Sequence, residues 1–142
     1  MKKRKILIVD DEPNILFVIS QAFQDAYEVH TASGGETALE LMRTEKPDFV
    51  FLDIKMPGIS GMEVLARIKT TGSSPIVWML TGNDELETAM QTLRAGASGY
   101  LTKPFDLAQI RVIVATAFDS QEQKESHDVS GDRPWRVKKD QK

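Results

Sequence analysis

The sequence predicts a single α/β domain of three layers, built on a doubly wound parallel sheet, and three observations support this. Short apolar runs alternate along the chain with segments whose apolar residues have helical spacing. The connections between the runs are too long for hairpins, which indicates parallel strands joined by right-handed crossovers. A chain of 142 residues is too short for an eight-fold barrel, so the sheet is open.

The strands are predicted from apolar runs, beginning with residues 6–9, which read Ile-Leu-Ile-Val without polar alternation. Such a run is typical of a strand covered by helices on both faces. The later runs are residues 27–32, which alternate weakly, 49–52, 76–80 and 98–101.

Helices are predicted around residues 15–23, 37–42, 64–68, 86–93 and 107–118. Local signals mark their ends: Pro13 suits a first helical turn, Gly34 and Gly35 open the second helix, Asn83 or Asp84 caps the fourth, and Gly96 ends it.

A helical wheel for the first helix separates a buried face from an exposed one. Ile15, Ile19, Ala22 and Ala26 fall on the inward face, whereas Phe17 lies opposite them. We therefore expect Phe17 to be exposed to solvent.

Composition excludes several classes of protein. There is no cysteine, which removes disulfides and thiolate chemistry and fits a cytoplasmic location. A net charge of −3 argues against direct DNA binding. No apolar run approaches the roughly 18 residues of a membrane span, and the four apolar residues after the basic start are too few for a signal peptide.

Residues 119–142 differ from the rest of the chain. They contain six acidic and six basic side chains and few apolar ones, so they cannot build a core. We predict a folded domain over residues 1–118 and a polar, flexible tail over residues 119–142. The basic segment 133–139 around Trp135 leaves open a docking peptide or a weak nucleic-acid contact.

Polar side chains follow the predicted strands at one edge of the sheet. Asp10 and Asp11 follow the first strand, Asp53 the third, Thr81 the fourth and Lys103 the fifth. Each alone has an ordinary explanation as a helix cap or a turn residue. Together, three carboxylates repel one another and need a cation, and their oxygen ligands suit Mg²⁺ bridging to a phosphoryl group. An aspartate can itself be the nucleophile for that group, with Lys103 and Thr81 neutralising charge on its oxygens.

These residues, together with the segment Asp53-Ile-Lys-Met-Pro-Gly-Ile-Ser-Gly-Met62 and Lys103-Pro104-Phe105, resemble the receiver domain of two-component response regulators. The resemblance spans residues 5–118 and implies a flavodoxin-like (βα)5 fold with strand order 2-1-3-4-5. It also implies a cis peptide bond between Lys103 and Pro104. Independently, residues 56–59 predict a type II turn with Gly58 at its third position.

The resemblance assigns a role to each residue of the predicted site. Asp53 would accept a phosphoryl group from a phosphohistidine. Asp11, Asp53 and the backbone carbonyl of Lys55 would ligate Mg²⁺, and Asp10 would assist through water. Lys103 would pair with the phosphoryl oxygens.

Two further residues are implied to form the switch. Thr81 would hydrogen-bond the phosphoryl group, and Tyr100 would swing inward. The change would reach the surface of the fourth helix, fifth strand and fifth helix, where family members often form homodimers.

The phosphodonor and the output partner are predicted to be other molecules. His30 and His127 are the only histidines. His30 is interpreted as filling a strand and His127 as part of the tail, so the phosphodonor must be an external molecule. The resemblance implies that this donor is a sensor histidine kinase or a histidine phosphotransfer protein. No effector motif follows residue 118, which predicts output through contacts with a downstream protein effector or as a phosphorelay intermediate. The chain would be a stand-alone regulator or the receiver part of a longer one. The first helix is where kinases commonly dock in this family.

Two other classes fit less well. A haloacid-dehalogenase-type phosphatase carries its nucleophile in Asp-x-Asp on the first strand, and a flavin mononucleotide carrier could not place a phosphate beside Asp10, Asp11 and Glu12. A receiver-like docking module that works without phosphorylation remains the alternative. The chain is otherwise expected not to be an enzyme, since it would catalyse only its own phosphorylation and dephosphorylation.

Overall fold

The computed structural model describes residues 3–72, 74–82 and 86–130, with side chains described as far as Glu122. Strands and helices alternate in the predicted order, although the predicted caps Asn83 and Asp84 lie outside the described residues. The elements are β1 (Lys5–Val9), α1 (Pro13–Phe23), β2 (Glu28–Ala32), α2 (Gly35–Glu45), β3 (Phe49–Asp53), α3 (Gly61–Lys69), β4 (Ile76–Thr81), α4 (Leu86–Arg94), β5 (Gly99–Thr102) and α5 (Leu107–Ser130).

The strands form one parallel sheet in the order β2-β1-β3-β4-β5. This confirms the α/β class and the strand order implied by the resemblance. β1 and β3 are neighbours at the point where the order reverses along the sheet, and their carboxyl ends therefore face the place where ligands bind in open α/β sheets.

Alternate residues of the strands send their side chains to opposite faces of the sheet. On one face, the buried cluster joins strand residues such as Leu7 and Val50 to α2, α3 and α4 through Met42, Val64 and Ala89. On the other face, Phe23 of α1 stacks on Phe51 of β3, with ring centroids 6.1 Å apart. Helices therefore cover both faces of the sheet, as predicted.

The exposed side of α1 agrees with the helical wheel at its most informative position. Phe17 is 64% exposed, whereas Ile19 and Phe23 are buried. The prediction for Ala26 was wrong: this residue is exposed because α1 ends at Phe23, after which residue 26 no longer follows the helical period.

The last helix, α5, is longer than predicted. Ile110, Val114 and Phe118 are buried and recur every four residues, which gives one apolar stripe. The helix continues past the predicted domain end to Ser130, because no glycine or proline interrupts the sequence before Gly131. The first part of the predicted flexible tail is thus helical, and residues 131–142 lie outside the described residues. The domain boundary at residue 118 stays a prediction.

Within the described part of the chain, the helices include none with the length and apolar character needed to cross a bilayer.

Two glycines and one cis peptide bond shape β5 and the loops that follow β3 and β5. Gly99 pairs with Trp78 across β5 and β4, and a Cβ atom on residue 99 would lie 2.7 Å from the Trp78 ring. Glycine is therefore what lets the indole cover this position. Gly58 has the positive φ, 78°, that the predicted type II turn requires, and the Lys103–Pro104 bond is cis as implied.

Candidate functional site

Three carboxylates meet at the carboxyl ends of β1 and β3. Asp10 and Asp11 follow β1, and Asp53 is the last residue of β3. One oxygen from each of the three side chains can be chosen so that all lie within 4.8 Å of one another. Asp10 and Asp53 are buried, whereas Asp11 is exposed. The structure thus brings together the three predicted acidic residues.

Lys103 supplies the positive charge of this site. Its Nζ atom lies 2.9 Å from Asp10 Oδ2 and 3.6 Å from Asp53 Oδ1. The lysine follows β5 through the turn that contains the cis peptide bond, so its side chain comes from a different strand from either carboxylate. One ammonium therefore bridges two carboxylates that would otherwise repel each other.

Glu12 is a fourth acidic residue at the site, and the prediction of metal ligands did not include it. Its backbone N–H donates to Asp10 Oδ1 at 2.9 Å, which fixes that carboxylate. Its own carboxylate oxygen Oε1 lies 3.9 Å from Lys103 Nζ. The open pocket here has a volume of about 560 Å³, and it is lined by Asp11, Glu12, Asp53, Lys55, Met56, Pro57, Gly82 and Lys103.

Burial raises the pKa of Asp53 from 3.8 to about 7, and the neighbouring carboxylate of Asp10 adds to the rise. Lys103 and a hydrogen bond from the backbone N–H of Lys55 act in the opposite direction. Without a further cation, Asp53 is therefore only partly ionised at neutral pH.

The pKa of Lys103 is raised as well. Burial alone would lower it, but the hydrogen bond to Asp10 and the negative charge of Asp53 outweigh burial. Lys103 therefore remains an ammonium ion throughout the physiological pH range.

The predicted switch residues, Thr81 and Tyr100, belong to β4 and β5. Thr81 ends β4 as predicted; it is buried, and its hydroxyl donates to the carbonyl of Gly82 at 3.0 Å. Tyr100 lies on β5 opposite Met79 and is partly buried against the hydrophobic core. Neither residue lines the acidic pocket in this structure.

Gly61 was quoted in the sequence motif but given no role in the predicted site. It begins α3, and its N–H donates to the carbonyl of Ile54 at 2.9 Å. A Cβ atom here would lie 2.1 Å from the carbonyl oxygen of Asp53, so only glycine permits this approach. The available signal was its position, a glycine at the predicted start of a helix close after Asp53.

The residues at this site fit a hard divalent cation. Asp10, Asp11 and Asp53 offer only oxygen ligands, which Mg²⁺ prefers. Lys103 neutralises one of their negative charges and leaves an excess on the pocket. A cation there would also lower the raised pKa of Asp53.

A doubly wound α/β fold with such an acidic pocket beside a lysine defines a class of signalling phosphoacceptors. The model for the response regulator receiver domain matches residues 6–122. The chain belongs to this family, and it is a receiver of two-component signalling.

Two curated relatives illustrate the similarity. Regulatory protein AtoC of Escherichia coli is 40% identical over 121 residues, covering 84% of this chain but 26% of the relative. Sporulation initiation phosphotransferase F of Bacillus subtilis is 37% identical over 112 residues, covering 78% of this chain and 90% of the relative. The chain thus spans about a quarter of one relative and most of the other.

Solved structures agree with the sequence relatives. A response regulator receiver domain protein described as CheY-like, from Methanospirillum hungatei, has a TM-score of 0.81 at 30% identity, covering 87% of this chain and 99% of that one. A receiver domain protein from Clostridium thermocellum has a TM-score of 0.79 at 33% identity, covering 84% and 98%. These findings confirm the predicted family and phosphoacceptor function, and they do not favour the alternative of a docking module.

Proposed function

We propose that Asp53 is the phosphoacceptor and that its donor is the phosphohistidine of a sensor histidine kinase or a histidine phosphotransfer protein. The observation that carries this proposal is the position of Asp53, buried at the pocket with Lys103 Nζ 3.6 Å from its Oδ1 atom. The raised pKa of Asp53, caused mainly by burial, further supports a chemical role for this carboxyl.

In the reaction, a carboxylate oxygen of Asp53 attacks phosphorus and the bond from phosphorus to the donor's imidazole nitrogen breaks. The donor histidine leaves with the electron pair of that bond. Lys103 neutralises charge on the phosphoryl oxygens, because its ammonium already lies within reach of the Asp53 carboxylate. The chain would catalyse its own phosphorylation and dephosphorylation and no other reaction.

The cofactor we propose is Mg²⁺, held by Asp11, Asp53 and the backbone carbonyl of Lys55, with Asp10 acting through water. All four residues belong to the pocket or its acidic cluster. The ion would supply positive charge to the phosphoryl oxygens. Within the chain, the hydrogen bond from the Glu12 amide to Asp10 Oδ1 restrains the Asp10 carboxylate.

Thr81 and Tyr100 are the switch residues we propose. The hydroxyl of Thr81 would exchange its hydrogen bond to the Gly82 carbonyl for one to the phosphoryl group, and Tyr100 would turn further inward.

The output would involve the α4-β5-α5 surface, either with a downstream protein effector or in a homodimer. On α4, exposed apolar side chains at helical spacing support such a contact: Leu86, Met90 and Leu93.

The kinase would dock on α1, where Phe17 is 64% exposed. An exposed aromatic ring of this kind supplies apolar area to a protein interface. We further propose a cytoplasmic protein without direct DNA contact through this domain, in line with its net charge of −3.

Intact mass measured after incubation with acetyl phosphate tests the proposal. We expect one phosphoryl adduct that forms only with Mg²⁺ and is lost in Asp53→Asn. The matched control is Asp25→Asn, which removes an exposed carboxylate and should keep the adduct. An adduct that persists in Asp53→Asn, or none in the wild type with acetyl phosphate and phosphoramidate alike, would overturn the assignment.

A further inference from the structure

A second cluster of ligand-type side chains lies away from the acidic pocket. Glu28 and His30 belong to β2, an edge strand of the sheet, and Glu45 ends α2. Lys5, the first residue of β1, pairs with Glu28 in the strand register and contacts Glu45. The cluster therefore lies toward the amino ends of β1 and β2, whereas Asp10 follows the carboxyl end of β1.

The three side chains converge on His30. Its Nε2 atom lies 2.7 Å from Glu28 Oε2 and 3.5 Å from Glu45 Oε1. In a tetrahedral zinc site with metal–ligand distances of about 2.0–2.1 Å, neighbouring ligand atoms are roughly 3.3 Å apart. The two separations from His30 lie on either side of this value, and the three ligand atoms lie within 4.8 Å of one another, so side-chain adjustments would let a metal ion bind all three.

The cluster already attracts a cation. Lys5 Nζ lies 3.2 Å from Glu45 Oε1 and 3.8 Å from Glu28 Oε2, so the ammonium contacts the two carboxylate groups that would bind the metal. Since a lysine side chain is long and flexible, a divalent ion can displace its ammonium from this position.

The type of ligand selects the metal. An imidazole nitrogen together with carboxylate oxygens suits Zn²⁺ and similar transition metals, whereas Mg²⁺ prefers oxygen ligands alone. The cluster therefore differs in chemistry from the pocket of Asp10, Asp11 and Asp53. Three protein ligands would leave one coordination position for water.

We propose that Glu28, His30 and Glu45 form a binding site for a divalent transition metal, Zn²⁺ being the ion that fits best. Bound there, the ion joins the edge strand β2 to the end of α2. Because only the folded chain brings the three ligands together, Zn²⁺ binding stabilises the fold, and the gain grows with the logarithm of one plus the ratio of Zn²⁺ concentration to the dissociation constant. This site is independent of phosphorylation at Asp53.

Zn²⁺ titration of the full chain tests the proposal, with Mg²⁺ at saturating concentration to occupy the acidic pocket. We expect the melting temperature to rise with Zn²⁺, and His30→Ala to weaken binding at the site at least ~10-fold, since each missing ligand removes a metal bond. Glu45→Gln should weaken it as well, which guards against a misfolded histidine variant. The matched control is His127→Ala, which removes the other histidine of the sequence and should leave binding unchanged.

A further variant distinguishes metal binding from a simple ion-pair network. Lys5→Met removes the competing ammonium, so it should tighten Zn²⁺ binding, and Co²⁺ bound in place of Zn²⁺ should show the visible absorption of a tetrahedral site. Circular dichroism verifies that each variant is folded. Zn²⁺ binding that is equally strong in wild type and folded His30→Ala, or that Lys5→Met weakens, would overturn the proposal.

Discussion

Replacing Gly61 by alanine should displace Asp53, the proposed phosphoacceptor, without changing its carboxylate. The new Cβ atom would lie 2.1 Å from the carbonyl oxygen of Asp53 and 2.8 Å from Ile54 Cα. Ordinary contact begins at 3.4 Å, so the first of these approaches is about 1.3 Å too short. Both contacted atoms belong to the backbone, so no side-chain rotation can relieve the overlap, and the β3–α3 connection itself must move.

The size of this movement sets the expected effects. Overpacking a buried site costs ~1–3 kcal/mol, and we expect the upper part of this range because backbone must shift. A misplacement of about 1 Å at a reacting group can lower a rate ~100-fold. We therefore expect Gly61→Ala to lose about 3 kcal/mol of stability and to be phosphorylated by acetyl phosphate roughly 100-fold more slowly.

Urea unfolding and the rate of adduct formation by intact mass measure the two effects. The matched control is Gly34→Ala, because a Cβ atom at residue 34 meets nothing within 4 Å. A Gly61→Ala protein that unfolds and is phosphorylated as readily as the Gly34→Ala protein would refute the reasoning.

Three further predictions concern the carboxylate, the lysine and the docking helix. Because the pKa of Asp53 is raised from 3.8 to about 7, its contribution to stability is complete below pH 4 and is lost as the pH rises through 7. In metal-free buffer, Asp53→Asn should therefore gain stability relative to the wild type as the pH rises from 4 to 7, and Mg²⁺ should reduce this gain. Identical pH profiles of the melting temperature in the two proteins would contradict this. Lys103→Met should slow phosphorylation by acetyl phosphate roughly 100-fold, because a charge-neutralising group is removed, and a normal rate would show that this group is dispensable. Phe17→Ala should slow phosphotransfer from the cognate kinase but not from acetyl phosphate, and an equal loss with both donors would argue against a docking role.

The sequence predicted the fold well because buried parallel strands leave a strong local signal. The apolar runs in β1 and β3 are fully buried and the run in β4 is mostly buried, so each reads as a block without polar residues. Element ends were harder to predict. The helical wheel for α1 placed Ala26 on the inward face, because helical periodicity alone does not indicate where a helix ends. The helix α5 continues past Phe118, because the charged residues that follow tolerate a helix.

The acidic pocket was predictable because its members follow strands whose carboxyl ends share one edge. Asp10, Asp53 and Lys103 needed only the parallel topology to come together. The function of Gly61 was not predictable from residue type, since what requires glycine is a backbone oxygen contributed by β3. The contact between His30 and Glu45 was not predictable either, because Glu45 comes from the end of α2 and strand periodicity does not reveal it. His30 was therefore interpreted only as filling a strand.

The packing of Trp78 over Gly99 gives the molecule an intrinsic optical reporter. The indole lies on β4, the strand that ends in Thr81, and covers the first residue of β5, the strand that leads to Lys103. Any slippage between these two strands alters the surroundings of the ring and hence its emission. The tryptophan fluorescence of a Trp135→Phe variant, in which Trp78 is the single tryptophan of the sequence, should therefore report any movement of β5 relative to β4 in real time without an attached label.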